Sequence, residues 1–471
     1  MRVRRFSMPA LAALLLTLPA AAMAQGFALN EVGTCGVARG YATTGAPCKD
    51  ATTIFWNPAF AAMLPGNSLV IGGASVDVTG SFVRDSALGR YEGNVPMEYP
   101  PHFYFTHRQN ERMSWGLGVY VPYGLTSQWH DDFPGRFQAL KASLASIYFQ
   151  PNIAWKLNDR WMIGGGPVIA HSSVELVQSV DLAEQAAAPN PLGGVITFGE
   201  LGIAQGTEFA RGTLKGSAYG YGFALGVYGR LSDHWTMGAR YLSSINFNYS
   251  NGKATFAQVP TGLTLAAGNV FGPGGTSLPA GTPVDALVAS QFTAGGALVA
   301  QDGTTELAHP DQAELGFAYD GFDRWLLSAD YAWMGFKRFH ELDIKFSNPA
   351  LGTKSMYEDY HNSSAIRLGA QYSLRNDWQL RFGFAGVAAA APDVTVTPIL
   401  PDQDRANYTL GLGVPLTRSL TLDAAYVHVW TSGRRGRIGD RPSRNLTADD
   451  VNDGVFNLAA NVFSFSLKAS F

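Results

Sequence analysis

What this chain lacks sets the first limits on what it can be. It holds two cysteines, Cys35 and Cys48, among 471 residues, too few for a disulfide scaffold or a multi-cysteine metal site. Charged residues make up 15% of the chain and the two signs nearly balance, which leaves no basic field for nucleic acid. Gly-x-Ser-x-Gly, His-Glu-x-x-His, the P-loop and paired Cys-x-x-Cys motifs are all missing, so the usual signatures of hydrolases, zinc proteases and nucleotide enzymes do not apply. Gly220, Gly222 and Gly226 sit inside an alternating stretch and read as packing glycines. An outer-membrane lipase with a serine and a histidine on facing strands, His428 being one candidate, is the enzyme alternative, and a lone histidine near an aromatic belt is more often structural. No cofactor and no metal are expected. Beyond residue 24 there is also no run of eighteen apolar residues. The longest, Phe382 to Ala391, stops at Pro392 and is too short for a membrane-crossing helix.

The opening residues point to export. Arg2, Arg4 and Arg5 precede an apolar stretch from Leu11 to Leu18, and Ala22-Met23-Ala24 supplies small residues for cleavage. Residues 1–24 read as a signal peptide, with a mature chain from Gln25; an uncleaved helical anchor is the alternative, for which the apolar stretch is short. Taking those three arginines from the 34 basic residues leaves 31 against 37 acidic ones, so the mature chain is mildly acidic.

What is abundant is glycine (53 residues), aromatic side chains (12%) and strict alternation. In the closing segment, Phe463, Phe465, Leu467, Ala469 and Phe471 share one face and Ser464, Ser466, Lys468 and Ser470 the other. Trp325, Leu327, Ala329, Tyr331 and Trp333 oppose Ser328 and Asp330 in the same way. Leu157-Asn158-Asp159-Arg160-Trp161, Leu231-Ser232-Asp233-His234-Trp235 and Leu374-Arg375-Asn376-Asp377-Trp378 are three polar turns, each flanked by a tryptophan. Tryptophans at short turns mark a membrane–water interface, and alternation of this kind places lipid outside and a polar lumen inside. A soluble β-sandwich shares the alternation without explaining those tryptophans. The fold class expected is therefore all-β: a transmembrane antiparallel β-barrel of about 14 strands over residues 68–471. Its short turns are periplasmic, its long loops extracellular, and its location is the bacterial outer membrane. Strands are expected over 113–122 and 324–345, among others.

Residues 25–67 do not alternate. Rich in Gly, Ala and Thr and turning at Asn57-Pro58-Ala59, they read as a plug (hatch) folded into the lumen, with a detached periplasmic tail as the alternative. An even cysteine count in an oxidising compartment makes a disulfide between Cys35 and Cys48 the expectation.

The chain also resembles a known family, the FadL/TodX-type outer-membrane transporters of long-chain fatty acids and other hydrophobic compounds. The resemblance rests on Gly26-Phe27-Ala28-Leu29-Asn30-Glu31, Thr53-Ile54-Phe55-Trp56-Asn57-Pro58-Ala59 and Val121-Pro122-Tyr123-Gly124-Leu125-Thr126. It continues through Gly238 to Ser244, Trp333 to Leu342 and Leu400-Pro401-Asp402-Gln403-Asp404-Arg405. It implies a fourteen-stranded barrel with an N-terminal hatch. It further implies loops forming an outward hydrophobic groove where a ligand lands, and a kink in the third strand that opens the wall beside the plug.

Site expectations follow. Phe133, Phe137, Leu140 and Leu144 recur at spacings of three and four and read as an amphipathic helix with one apolar face. Leu192, Val195, Ile196, Phe198, Leu201 and Ile203 form a second mixed segment; the alternative is that these loops pack on each other and bind nothing. Pro122 and Gly124 weaken strand pairing and are the candidate lateral gate, with Phe27 as the gating ligand contact; Pro122 ending its strand is the alternative. Lys337, Arg338, Lys345, Arg367 and Arg381 lie where alternation could turn them inward to meet a carboxylate, with His171 and Glu175 on the fifth strand. The function expected is uptake of hydrophobic compounds, foremost long-chain fatty acids. An aromatic-hydrocarbon channel and a non-transporting adhesin or phage receptor stay open. Expected partners are outer-membrane lipid and lipopolysaccharide, a hydrophobic small-molecule ligand, and the barrel-assembly machinery with periplasmic chaperones during biogenesis; the barrel is expected to be a monomer.

Overall fold

Alternation along the chain resolves into strands whose partners close on themselves. A computed structural model describes residues 26–86, 89–189, 194–266, 279–439 and 447–471; the expected leader and the start at Gln25 lie outside the described residues. The ring strands are β1 (Asn67–Arg84), β2 (Pro101–Arg108), β3 (Met113–Gln128), β4 (Lys141–Lys156), β5 (Trp161–Asp181), β6 (Glu208–Arg230) and β7 (Trp235–Leu242). They continue with β8 (Gln312–Phe322), β9 (Trp325–Met334), β10 (Ser363–Ser373), β11 (Gln379–Val387), β12 (Arg405–Pro415), β13 (Leu420–Thr431) and β14 (Gly454–Ser470). Each pairs antiparallel with the next, and β14 pairs with β1 from Ser68↔Ser470 to Arg84↔Gly454, so fourteen strands form a closed barrel. Closure leaves no unpaired edge for lipid to meet along most of the wall.

The two faces divide as the alternation requires. On β14, Phe463, Phe465 and Leu467 are exposed on the outside while Ser464 and Ser466 are buried inside. Trp115, Trp155, Trp235 and Trp378 are exposed near the short-turn end, and Tyr219, Tyr221 and Trp430 ring the other end of the band. Among the described residues no helix is long and apolar enough to cross a membrane.

Local chemistry sets the turns. Asn158 Oδ1 accepts from the backbone N–H groups of Arg160 and Trp161, both at 2.9 Å, and Asn110 Oδ1 accepts from Arg112 and Met113 at the same distance. Ser232 and Thr417 do the same with hydroxyl oxygens. One polar side chain per turn thus replaces the ladder partners that the reversing backbone has lost.

Two strand expectations are corrected. A single strand over 324–345 is broken after Met334, because Gly335 donates its N–H to Asp311 O at 2.9 Å and the chain turns through Phe336–Arg338 before a separate strand at Glu341–Phe346. The strand expected to end at residue 122 instead runs to Gln128.

Candidate functional site

Pairing between β2 and β3 stops early. Their register runs only from Arg108↔Ser114 to Phe103↔Val119, while β3 continues nine residues beyond Val119, to Gln128, with β4 as its sole ring neighbour. Two prolines explain the lapse: Pro122 on β3 and Pro101 on β2 have no N–H to offer a ladder, while Pro100 turns its carbonyl to Ala74 N on β1. The β3–β4 register shifts between Tyr120 and Tyr123, so the extra residue lets both tyrosines point inward, where each is fully buried. Above the gap the wall resumes, with Asn94 N donating to Gln128 O at 2.7 Å and Gly93 bridged to Trp129. On the outside, Thr126 Oγ1 donates to Glu98 across the opening at 2.9 Å.

The vacated edge of β3 is taken by the chain's own N-terminal arm. Leu29 N donates to Pro122 O at 2.8 Å, Gly124 N donates to Phe27 O at 3.0 Å, and Ala28 lies opposite Tyr123. Gly124 is needed for this approach, since a Cβ there would stand 2.8 Å from Leu29 Cδ1. The Phe27 ring is buried at 4% exposure in a cage of Tyr123, His309, Phe336 and Phe339, with centroids 5.3–5.9 Å away.

Beneath the arm a cavity of about 380 Å³ reaches from the lumen to the unpaired wall. Val76, Leu125, Leu144, Val387, Leu400 and Val462 give it an apolar lining, and Tyr99, Pro100 and Pro101 form its outer side. Its charged groups are Glu31, Glu98, Asp402 and Arg405. Arg405 Nη2 donates to Gly26 O at 2.9 Å and Gly26 N donates to Asp402 Oδ1 at 3.2 Å, so this pair holds the start of the arm. Burial pushes the Glu31 carboxyl above the usual carboxylate range; it accepts from Asn30 N at 3.0 Å and Tyr41 Oη at 3.1 Å.

The rest of the N-terminal segment is tied round the inner wall. Asn57 Nδ2 donates to Thr44 O at 3.0 Å and Val227 O at 2.9 Å, its Oδ1 accepts from Ala59 N at 3.3 Å, and Pro58 O accepts from Asn152 at 3.2 Å. Gly226 on β6 makes room for this turn, because a Cβ there would meet Asn57 Oδ1 at 2.6 Å. Arg240 donates to Phe55 O at 3.0 Å, Ser328 to Ala42 O at 2.7 Å and Thr409 to Ala38 O at 3.1 Å, so contacts reach β7, β9 and β12. Cys35 and Cys48 are disulfide-bonded, closing the buried stretch between them.

The loop expectation is corrected. Phe133, Phe137, Leu140 and Leu144 do not share a helix: Pro134–Phe137 is a single 3₁₀ turn, and Leu144 already belongs to β4, where its alternation is met by pairing with β5. The four part company. Phe133 stacks on Trp129 at 4.2 Å, Arg136 covers Phe137 at 4.5 Å, Leu140 is buried ahead of β4, and only Leu144 reaches the wall cavity. Phe137 instead lines an outward cavity of about 780 Å³ with Leu176, Phe256, Phe346 and Lys354. Of the second segment, Leu192 lies outside the described residues; Phe198 is buried with Leu182, Leu265, Val284 and Val288 of the loops and Phe209 at the start of β6, and Ile203 packs on that cluster.

The basic candidates are corrected as well. Lys337 and Arg338 are exposed in the turn made by Gly335, and Lys345 is exposed on the strand beyond it. Arg367 and Arg381 do face inward, yet both are spent on carboxylates. Arg367 Nη1 donates to Glu314 at 2.8 Å and Nη2 to Asn30 at 3.1 Å, while Arg381 pairs with Asp423 and Gln371. His171 and Glu175 share the outward face of β5 with Ile163 and Ile169, not the lumen. The residue missed is Arg405, whose signal was its place as the first residue of an alternating strand after an Asp-rich loop. The other miss is Tyr99-Pro100-Pro101, a double proline at a strand start.

Comparison with known proteins agrees with this geometry. Residues 15–471 match the family model described as outer membrane protein transport protein (OMPP1/FadL/TodX). The chain is 24% identical over 433 residues to the 47 kDa outer membrane protein of Pasteurella multocida, covering 91% of this chain and 92% of that one. It is likewise 24% identical over 453 residues to the long-chain fatty acid transport protein of Escherichia coli K12, covering 93% and 94%. Among solved structures, a Pseudomonas aeruginosa FadL homologue superposes with TM-score 0.75 at 21% identity, covering 95% of this chain and all of that one. The P. putida toluene transporter TodX gives 0.66 at 14% identity, over 94% and 99%. With the family model spanning nearly the whole chain and the barrel closed at fourteen strands, this protein belongs to the OMPP1/FadL/TodX family of outer-membrane transport proteins.

Proposed function

We propose that this outer-membrane transport protein takes up hydrophobic compounds, with long-chain fatty acids as the foremost cargo, and releases them sideways through the wall between β2 and β3. The observation that carries the reading is the apolar cavity running from beneath the N-terminal arm to a stretch of wall that has no strand pairing. An acyl chain gains there what a water-filled pore cannot give, because burial in an apolar lining returns about 25 cal/mol per Å² of apolar surface. Residues 26–66 act as the plug, and the arm at Phe27–Leu29 is its moving part, standing in for the missing strand when no cargo passes. Arg405 is the cation available to a carboxylate at the cavity, being partly exposed and held by a carbonyl at 2.9 Å.

A specific observation favours a second reading. Glu31, Glu98 and Asp402 outnumber the single Arg405 around the cavity, a balance better suited to a neutral aromatic hydrocarbon than to an anion. Two of these carboxylates are already engaged, Asp402 with Gly26 N and Glu98 with Thr126, and the third is held toward its neutral form by burial.

The test is uptake of labelled oleate and labelled toluene by a Gram-negative host lacking its own channel, using an Ala28→Cys, Tyr123→Cys variant. These positions face each other as a non-hydrogen-bonded antiparallel pair, the spacing at which a cross-strand disulfide forms. Uptake of oleate that stops on oxidation and returns on reduction is expected, with the parent protein indifferent to reductant. Uptake of toluene alone assigns the second reading. Equal uptake by the locked and unlocked forms would refute exit past the arm.

A further inference from the structure

Outside the barrel, above the outer ring of tyrosines, lies a cluster the transport path does not use. Glu175 on β5 sits directly opposite Lys215 on β6 and Ser143 on β4. Lys141 Nζ reaches Glu175 at 2.6 Å and Lys215 Nζ reaches it at 2.9 Å. Two ammonium groups therefore share one carboxylate, which leaves the cluster with a net positive charge at neutral pH. The flanking charges balance among themselves: Lys253, opposite Lys215, pairs with Asp302, and Arg211 and Arg136 together face Glu208 and Asp131. Ser143, Ser173, Ser217 and Asn251 complete a polar recess of about 460 Å³ around Glu175 and Lys215.

Position gives this recess its meaning. On β6 the outward residues run Val227, Leu225, Phe223, Tyr221, Tyr219, Ser217, Lys215, so the apolar band ends at the tyrosines and the lysine follows four residues later. Four residues advance about 13 Å along a strand, or about 10 Å along the normal at a tilt near 40°. That places the lysine backbone a few ångströms above the headgroup layer, which is the outer ~5–7 Å of each leaflet, and a lysine stem can bend down to reach it. Because the long loops face outward, the leaflet at this level is the external one. His171 against Tyr219, with ring centroids 4.9 Å apart, marks the boundary.

We propose that Lys141 and Lys215 bind a phosphate group of a phosphorylated, acylated saccharide lipid, the lipopolysaccharide of the outer leaflet, with acyl chains lying along Tyr219, Tyr221 and Phe223. The phosphate takes the place of Glu175 as counter-ion, and the serines and Asn251 supply neutral hydrogen bonds. The site holds the barrel's annular lipid on the β4–β6 side, where Ser143 is the residue it shares with the lining of the wall cavity.

Native mass spectrometry of the purified full-length barrel in detergent tests this, with bisphosphorylated lipid A, dephosphorylated lipid A, phosphatidylglycerol and inorganic phosphate as probes. Retention of bisphosphorylated lipid A is expected to fall about tenfold or more in Lys141→Gln, Lys215→Gln, since a single charge-assisted hydrogen bond to phosphate is of that order. Glu175→Gln, which removes the competing carboxylate, should raise retention. Lys156→Gln at the short-turn end, where Lys156 pairs with Asp159, should leave it unchanged. Equal retention by the double variant and the parent would overturn the site. So would weaker retention in Glu175→Gln, phosphatidylglycerol held as tightly as lipid A, or inorganic phosphate binding with no dependence on an acyl chain.

Discussion

Phe27→Ala isolates the arm from the rest of the plug. The ring is 4% exposed among four aromatic rings, and truncating a phenylalanine so buried costs about 3–5 kcal/mol. The barrel itself should not bear this loss, because residues 35–66 are tied to the wall by their own hydrogen bonds and closed on themselves by the Cys35–Cys48 bond. What weakens is the docking of residues 26–29. Their other restraints are two ladder bonds to β3, worth about 0.5–1.5 kcal/mol each, and the Gly26 contacts with Asp402 and Arg405. At 1.4 kcal/mol per factor of ten, a loss of about 3 kcal/mol raises the undocked population about 100-fold. Thiol labelling of an added Ala28→Cys reads that population directly, since the native cysteines are bonded and silent. The labelling rate should rise about 100-fold in Phe27→Ala, and toluene uptake should rise with it. Labelling within twofold of the parent would refute the arm as the separately moving part.

Three further outcomes are expected. Arg405→Met should lower the ratio of oleate to toluene uptake about tenfold, the size of one charge-assisted contact to a carboxylate; an unchanged ratio would remove Arg405 from cargo recognition. Asp423→Asn should destabilise the barrel by about 3–5 kcal/mol by stranding buried Arg381, whereas Asp423→Leu with Arg381→Met should come close to neutral, as read from the unfolding midpoint in denaturant. Burial pushes the Glu358 carboxyl in the loop before β10 up to about 8, with Arg437 opposing the shift and Asp359 adding to it. Folded loop therefore holds a proton that the unfolded loop gives up, so its stability is full below about pH 4.5 and falls as pH rises toward about 8. Hydrogen exchange over residues 353–361 should be faster at pH 8.5 than at pH 5 after correction for intrinsic rates, and Glu358→Gln should flatten that difference.

The barrel was readable because each strand carries its own signal. Period-two alternation needs no partner to be recognised, and Arg405–Pro415 begins and ends where the alternation does. The turns were equally local, since Asn158 or Ser232 caps N–H groups two and three residues away. Errors fell where a distant segment decides. Phe133 to Leu144 has helical spacing, and a turn does start at Pro134, but pairing with β5 claims Leu140 N and Leu144 before a second turn can form. Gly335 breaks β9 because of Asp311, and Arg405 matters because Gly26, 379 residues earlier, lies against it. Pro122 was legible as a weak point, while its meaning depended on Pro101 across the gap.

Those prolines also resolve a conflict between closing a barrel and opening one. Inside a bilayer an unsatisfied backbone group costs several kcal/mol, so a wall that parts between β2 and β3 ought to be unstable. Here, two of the backbone positions at the parting, Pro101 and Pro122, have no N–H to strand. Of the rest, Gly124 N is satisfied by Phe27 O, Pro122 O by Leu29 N and Gln128 O by Asn94 N. The opening is therefore built partly from residues that ask little of a partner, and the arm and Asn94 supply three of the partners that the others need. Replacing Pro101 with valine would restore a donor at that edge without changing the apolar surface. If the gap exists because donors are absent, that variant should extend β2–β3 pairing, slow hydrogen exchange at Tyr120 and Val121 and reduce uptake. Exchange and uptake both at parental levels would mean that something other than the missing donors holds the wall apart.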